Sequence, residues 1–350
     1  MTQSDLRTPL VESDPPASTT QAESRRGRSW TSRLQLNRFS GIYLWAALIL
    51  LFSLWIPRLF LTNATLQGII ADQAVTIFLS LGVLVALAAG QYDLSAAQIL
   101  GFAAVITAWQ ISVAKVNPIL AVVITIVICA VIGLINGLLV AGVGINSFIA
   151  TLGTSSVVLA ATSLLSGDRL VGPVSDAFKQ VALAKIFGVP ILLLYIAVAA
   201  VIVWYVLEHT PVGRRLSATG ANLDTARLVG VRVNKYIVIS LVVSSVMAAL
   251  GGILLVSRVG TVSSTVGPSY LLPAFAGVFL GTTQLKPGRF NVWGTLLALF
   301  LLATGVKGFQ LAIGANWITY VFNGLALIIA VGLAVVFERR RTTRAKEAPK

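Results

Sequence analysis

The stretch Glu208-His209-Thr210-Pro211-Val212-Gly213-Arg214-Arg215-Leu216-Ser217-Ala218-Thr219-Gly220-Ala221-Asn222-Leu223-Asp224-Thr225-Ala226-Arg227-Leu228-Val229-Gly230-Val231-Arg232-Val233-Asn234-Lys235 is a basic polar connection flanked on both sides by long apolar runs. An apolar run of about 20 residues is long enough to cross the roughly 30 Å hydrocarbon core of a bilayer. Two such runs, near 188–207 and 236–258, therefore read as spans joined by a solvated loop. Outward from that loop the pattern repeats. Spans are expected near 41–61, 68–90, 94–112, 117–142 and 147–166 before it, and near 270–283, 292–310 and 317–337 after it. The segment 270–283 is the shortest and is interrupted by Gly277 and Gly281, so a tilted, broken or re-entrant segment is as consistent with it as a full crossing.

Composition agrees. Of 350 residues, 57% are hydrophobic and 11% charged, against about a quarter charged in a soluble domain, and the mean hydropathy is +0.89. Spans consume most of the chain and leave no room for a sizeable soluble catalytic domain. The single cysteine, Cys129, lies in an apolar run, which excludes an intrachain disulfide and disfavours a cysteine metal site.

The formal charge of +14 follows topology rather than nucleic-acid binding, because the basic residues cluster beside spans. Residues 1–40 are rich in Ser, Thr and Pro, lack apolar periodicity and end in Arg25, Arg26, Arg28, Arg33 and Arg38. They read as a disordered tail without the apolar core of a cleavable signal peptide. Residues 338–350 form a basic C-terminal tail. With both termini inside, ten crossings place 19 of the 26 lysines and arginines on the cytoplasmic side, as the positive-inside rule requires.

The pairs Gly133/Gly137 and Gly277/Gly281 have the GxxxG spacing that lets helix backbones approach closely in lipid. No repeat between the two halves of the chain aligns by inspection. Within the central loop, Pro211 and Gly213 mark a break, Gly220 offers a turn, and Asn222 is placed to cap a short helix from Leu223 to Val229, closed by Gly230. Leu223, Ala226 and Val229 fall on one apolar stripe at spacings near three, with Asp224, Arg227 and Arg232 at its edges. From the residues alone, the loop is either a docking helix or a plain topological connection.

These residues resemble a known family. The run from Thr210 to Asn222, then Ala226 to Lys235, is similar to the cytoplasmic loop of permease subunits of ribose-type ABC importers. Gly90-Gln91-Tyr92-Asp93-Leu94-Ser95 resembles that family's Gly-Ile-Asp-Leu-Ser stretch, and Ser147-Phe148-Ile149-Ala150-Thr151-Leu152-Gly153 its FIATLG stretch. Gly281-Thr282-Thr283 through Gly294-Thr295 resembles its glycine-rich loop. Tyr92, Ala97 and Thr282 depart from the aliphatic residue and two glycines usual there.

The resemblance covers residues 41–337. It implies an all-α polytopic fold of about ten transmembrane helices in two inverted halves, the type II ABC-importer permease fold, in the bacterial inner membrane. It also implies a pathway for a pentose, hexose or related polyol, driven by ATP and Mg on a separate ABC ATPase with tandem or paired nucleotide-binding domains. An extracytoplasmic sugar-binding protein and a second permease subunit, in a homo- or heterodimer, are the further partners; nucleic acid is not. Permeases for branched-chain amino acids or nucleosides share part of the pattern, and an ion-coupled secondary transporter is the alternative from another class. Leu216, Gly220, Asn222, Leu223, Ala226, Arg227, Leu228 and Gly230 are the residues expected to couple to the ATPase.

Asp72, Gln98, Asn136, Asn146, Thr151, Thr154 and Ser155 are candidates to line a pathway for a hydroxylated solute, against helix-to-helix hydrogen bonding as the alternative for each. Asp93, between two spans, reads as a cap for a helix starting at Leu94 rather than as a solute contact. No phosphate-binding GxxxxGK[ST] loop exists, and His209, the one histidine, has neither nucleophile nor metal partners in sequence. No catalytic residue, metal site or cofactor is expected in this chain.

Overall fold

The computed structural model describes residues 36–315, 317–329 and 331–332; the tails expected at 1–40 and 338–350 lie almost wholly outside them. The main helices are α1 (Leu36–Trp55), α2 (Asn63–Ala88), α3 (Ala96–Ser112), α4 (Pro118–Leu138, extended by a π turn Leu139–Val143), α5 (Ser147–Ser166), a short α6 (Asp176–Leu183) and α7 (Ile191–His209). After the central loop come α10 (Val233–Val259), a 3-10 turn (Gly267–Tyr270) leading into α11 (Leu271–Gly281), α12 (Val292–Ile313) and α13 (Trp317–Ile329), with α8 (Pro211–Ala221) and α9 (Leu223–Leu228) inside the loop itself. Among the described residues, six helices are long and apolar enough to cross a bilayer: α2, α4 with its π turn, α5, α7, α10 and α12. Four apolar helices are shorter: α1 from Gly41, α3, α11 with its 3-10 turn, and α13. Among the described residues there are also a one-turn helix, Pro57–Phe60, and a two-residue hairpin, Lys185–Ile186 with Val189–Pro190.

Local chemistry sets the helix ends. Thr62, Asn117, Asn146 and Asn291 cap α2, α4, α5 and α12 by accepting from backbone N–H groups of the first turn, and glycines with positive φ follow α5, α10 and α12 (Gly167, Gly260 and Gly314). Both devices satisfy backbone groups that lipid cannot.

Helices α2 and α10 are mostly enclosed, whereas α4, α5 and α7 turn most of their surface outward. The GxxxG pairs serve contacts within the chain. A Cβ on Gly133 or Gly137 would lie 2.8 Å from Leu241 O or from Val238 Cα of α10, and one on Gly277 or Gly281 would strike Leu299 or Thr295 of α12.

The connections sort into two ends. At one, Gly41 N donates to Gln284 Oε1 (2.7 Å), Tyr92 N to Ser147 Oγ (3.1 Å) and Asn234 Nδ2 to Ala141 O (2.9 Å), while Lys286 pairs with Glu208 (2.5 Å). At the other, Val171 pairs with Val262, Ser257 Oγ donates to Phe178 O (2.7 Å), and Gln67 Nε2 to Gly188 O (3.3 Å). This is the grouping expected of helices that alternate in direction between two ends. Between residues 41 and 332 the two ends carry equal basic charge: Arg214, Arg215, Arg227, Arg232, Lys235, Lys286 and Arg289 against Arg58, Lys115, Arg169, Lys179, Lys185, Arg258 and Lys307. Within these residues the basic charge gives no asymmetry between the ends, so the positive-inside expectation rests on the tails.

No repeat aligns by inspection of the sequence, yet the structure has the two inverted halves that the resemblance implies. Shifted by 170 positions, Gly90 falls on Gly260 and Gly144 on Gly314, each with positive φ, and Gly144-Ile145-Asn146 falls on Gly314-Ala315-Asn316. The same shift carries α2 onto α10, α3 onto the Gly267–Gly281 segment, α4 onto α12 and α5 onto α13. The packing follows suit: α3 and α4 lie on α10, while α11 and α12 lie on α2. Since α2 and α10 run in opposite directions between the two ends, the repeat is inverted, an arrangement common in transporters. Inspection missed it because apolar side chains interchange freely in a bilayer; left-handed glycines are what persist.

Candidate coupling face and polar interior

The central loop is two helices, not an open connection. Thr210 Oγ1 accepts from Gly213 N (3.3 Å) and Pro211 occupies the first turn, so α8 begins where a break was expected. Gly213 turns the chain tightly under α7, since a Cβ there would lie 2.1 Å from Leu207 O. Gly220, read from sequence as a turn, instead lies within α8 and presses on the end of α2. A Cβ there would lie 2.3 Å from Ala88 O and 2.8 Å from Gly90 N. Asn222 Oδ1 accepts from Thr225 N (2.9 Å), capping α9 as its spacing suggests, and Gly230 follows at φ +80.

The expected apolar stripe of α9 is divided. Ala226 is buried against Ala86, Val233, Ile237 and Leu241, with Leu223 packed beside it, and Leu216 of α8 is 1% exposed. These three, with Gly220, are occupied by the chain's own packing and are not free to fill a partner's groove. Leu228 and Val229 are 88% and 73% exposed. They sit beside an exposed Arg227–Asp224 pair at 3.7 Å, which is worth well under about 1 kcal/mol. An exposed apolar tip on a helix fixed from beneath is the geometry of a docking knob.

Above that face lies a polar network. Asp93 is fully buried; its Oδ1 accepts from Ser95 N (3.1 Å) and Ser95 Oγ (2.6 Å). Helix α3 starts at Ala96 rather than Leu94, with Ser95 at the capping position. Ser95 Oγ in turn accepts from Asn136 Nδ2 (2.9 Å), and Asn136 Oδ1 accepts from Thr154 Oγ1 (2.6 Å). Thr151 Oγ1 accepts from Leu94 N (3.1 Å) and donates to Ser147 O (2.7 Å). The segment Gly90–Ser95 thus ties α3, α4 and α5 together directly above Gly220.

The candidate pathway residues divide accordingly. Asn136, Thr151 and Thr154 are engaged between helices, Asn146 is an exposed helix cap, and Gln98 is buried beside Ser95. Ser155 is half-buried on α5. Asp72 lies apart from all of these, at the opposite end, between Arg258 and Lys307 (3.6 Å to the latter). Sequence reasoning missed those two cations, together with Ser95, as site residues. Their signal was a charge within or beside an apolar helix, which is costly unless paired.

A profile of the family described as the branched-chain amino acid transport system permease component matches residues 65–331. The chain belongs to that family. The ribose import permease RbsC of Bacillus subtilis is 31% identical over 85% of this chain and 91% of its own length. The D-allose transport permease AlsC of Escherichia coli K12 is 26% identical over 89% and 96%, and the autoinducer 2 import permease LsrD of Salmonella paratyphi B is 28% identical over 84% and 90%. No solved structure matches the chain. As a member of a permease family, built of apolar helices that alternate between two ends, the chain is a multi-pass membrane protein.

Proposed function

We propose that the chain is the membrane-spanning permease of a binding-protein-dependent ABC importer for a monosaccharide, and that α9 is where its ATPase engages. The relatives named for ribose, D-allose and autoinducer 2 support a sugar over a branched-chain amino acid, each being similar from near one end of the chain to the other. The observation that carries the coupling role is the contrast within α9: Leu223 and Ala226 face inward while Leu228 and Val229 stand free.

On this reading the end bearing α8 and α9 faces the cell interior. Two nucleotide-binding domains, holding ATP and Mg, grip the Leu228–Val229 tip. Their closure moves α9, and α8 passes the displacement through the Gly220–Gly90 contact to the network holding α3, α4 and α5. An extracytoplasmic binding protein delivers solute at the opposite end, and a second permease subunit covers part of the outward surface of α4, α5 or α7. ATP hydrolysis is assigned to the partner.

The test is co-purification and transport with Leu228→Asp. Loss of ATPase association at unchanged thermal stability supports the role; wild-type association and uptake would refute it.

A further inference from the structure

Toward the end opposite α9, an apolar groove of about 980 Å³ opens between α4, α6, α7 and α10. Its lining includes the buried Phe178 and Val203, the exposed Ile119, Val198 and Ile202, and Leu254 of α10. We infer that this groove holds an anionic phospholipid, its acyl chains lying along the groove and its phosphate headgroup at the lysines of the mouth. The inference goes beyond the transport reading and does not depend on which solute is carried.

The lining argues for acyl chains. No charged side chain lines the groove, and Tyr195 brings the one side-chain hydroxyl. A hydroxylated or ionic solute would find almost nothing there to bond.

The depth argues for a lipid rather than a helix. Along α7 the lining runs no further than Val203, and along α10, which ends where α7 begins, no further than Met247. At about 1.5 Å per residue, each point lies about 18 Å from its helix's end at Ile191 or Val259. That is little more than half of the roughly 30 Å hydrocarbon core. An acyl chain belongs to one leaflet and fits that depth; a transmembrane helix of a partner would need contact through both.

Charge argues for the headgroup. Lipid tails are as apolar as the groove, so a chain gains little by leaving the bilayer, and selectivity has to come from the polar end. The segments framing the mouth are the turn 113–117, α6 and the hairpin before α7. They carry Lys115, Lys179 and Lys185 against the one carboxylate of Asp176. Asp176 pairs with Lys179 (2.9 Å), whereas Lys115 and Lys185 are exposed and, among the described residues, have no carboxylate partner. Arg258, at the nearby end of α10, is engaged by Asp72. The lysines are continuous with the groove: Lys115 shortly precedes Pro118, and Lys179 lies between Phe178 and Val181, all three of which line it. Basic residues at the end of membrane helices attract anionic lipid over about a Debye length.

The test places the full chain in nanodiscs of equal phosphatidylglycerol and phosphatidylcholine with identical chains, one of the two carrying an acyl-chain diazirine, and maps the cross-linked peptides by mass spectrometry. Phosphatidylglycerol is expected to label the α4 and α7 lining several-fold more than phosphatidylcholine does. Lys115→Gln combined with Lys185→Gln is expected to bring the two lipids level at unchanged thermal stability. Ala199→Trp, which fills the groove, is expected to lower labelling by both. Equal labelling by the two lipids in the unsubstituted chain, or labelling of this lining no denser than that of the outward surface of α1, would overturn the inference. So would a disulfide-linked dimer formed through Ile202→Cys in a Cys129→Ala background, because a second copy would then be the occupant.

Discussion

Gly220 is the residue whose replacement separates the parts of the mechanism. A Cβ there meets backbone of Ala88 and Gly90, which cannot rotate away as a side chain would. Gly220→Val is expected to lift α8 from the end of α2, to lower thermal stability in detergent and to reduce transport more than tenfold. Gly230→Ala, in open surroundings but at φ +80, carries only backbone strain of about 1 kcal/mol, and a far smaller fall in melting temperature distinguishes the two. Asn136 is the other decisive residue. Asn136→Ala removes its bonds to Ser95 and Thr154 and is expected to cost about 1–3 kcal/mol, read as a lower melting temperature with ATPase association unchanged. Asn222 was legible from sequence because a cap depends only on neighbours along the chain. Gly220 was misread because glycine serves turns and close approaches alike, and the approaching backbone lies about 130 positions away.

At the scale of the element, α9 has two faces with different obligations. Ala226→Asp is expected to disrupt folding, since it buries a charge against Ala86 and Ile237. Val229→Asp is expected to leave the melting temperature within about 1 °C while abolishing ATPase binding in pull-down, because a surface change away from packing usually costs less than about 0.5 kcal/mol. Equal instability of both variants would remove the division between anchor and knob. The helical period was visible in Leu223, Ala226 and Val229. Which of them faces inward was not, because the last residue lies past the helix end at Leu228, where the chain turns away.

For the whole molecule the open quantity is direction. The contacts fix which connections share an end, and the equal basic charge of the two ends leaves orientation to the tails. Single-cysteine variants of Phe187, 102% exposed, and Val229, in a Cys129→Ala background, lie at opposite ends. In intact cells Phe187→Cys is expected to react with an impermeant maleimide, and Val229→Cys only after permeabilisation. The reverse pattern would invert the mechanism.

The sequence by itself determined the membrane class, close approximations to the spans, the cap at Asn222 and the family, because each depends on local periodicity or on short runs of residues. It did not determine which polar side chains meet. Asn136 reads the same whether it lines a path or bonds Ser95, and Asp72 gives no sign of Arg258 and Lys307 more than 180 positions away. Only the tertiary structure decided these, since lipid-soluble helices are interchangeable in sequence and acquire distinct roles only through the neighbours they are packed against.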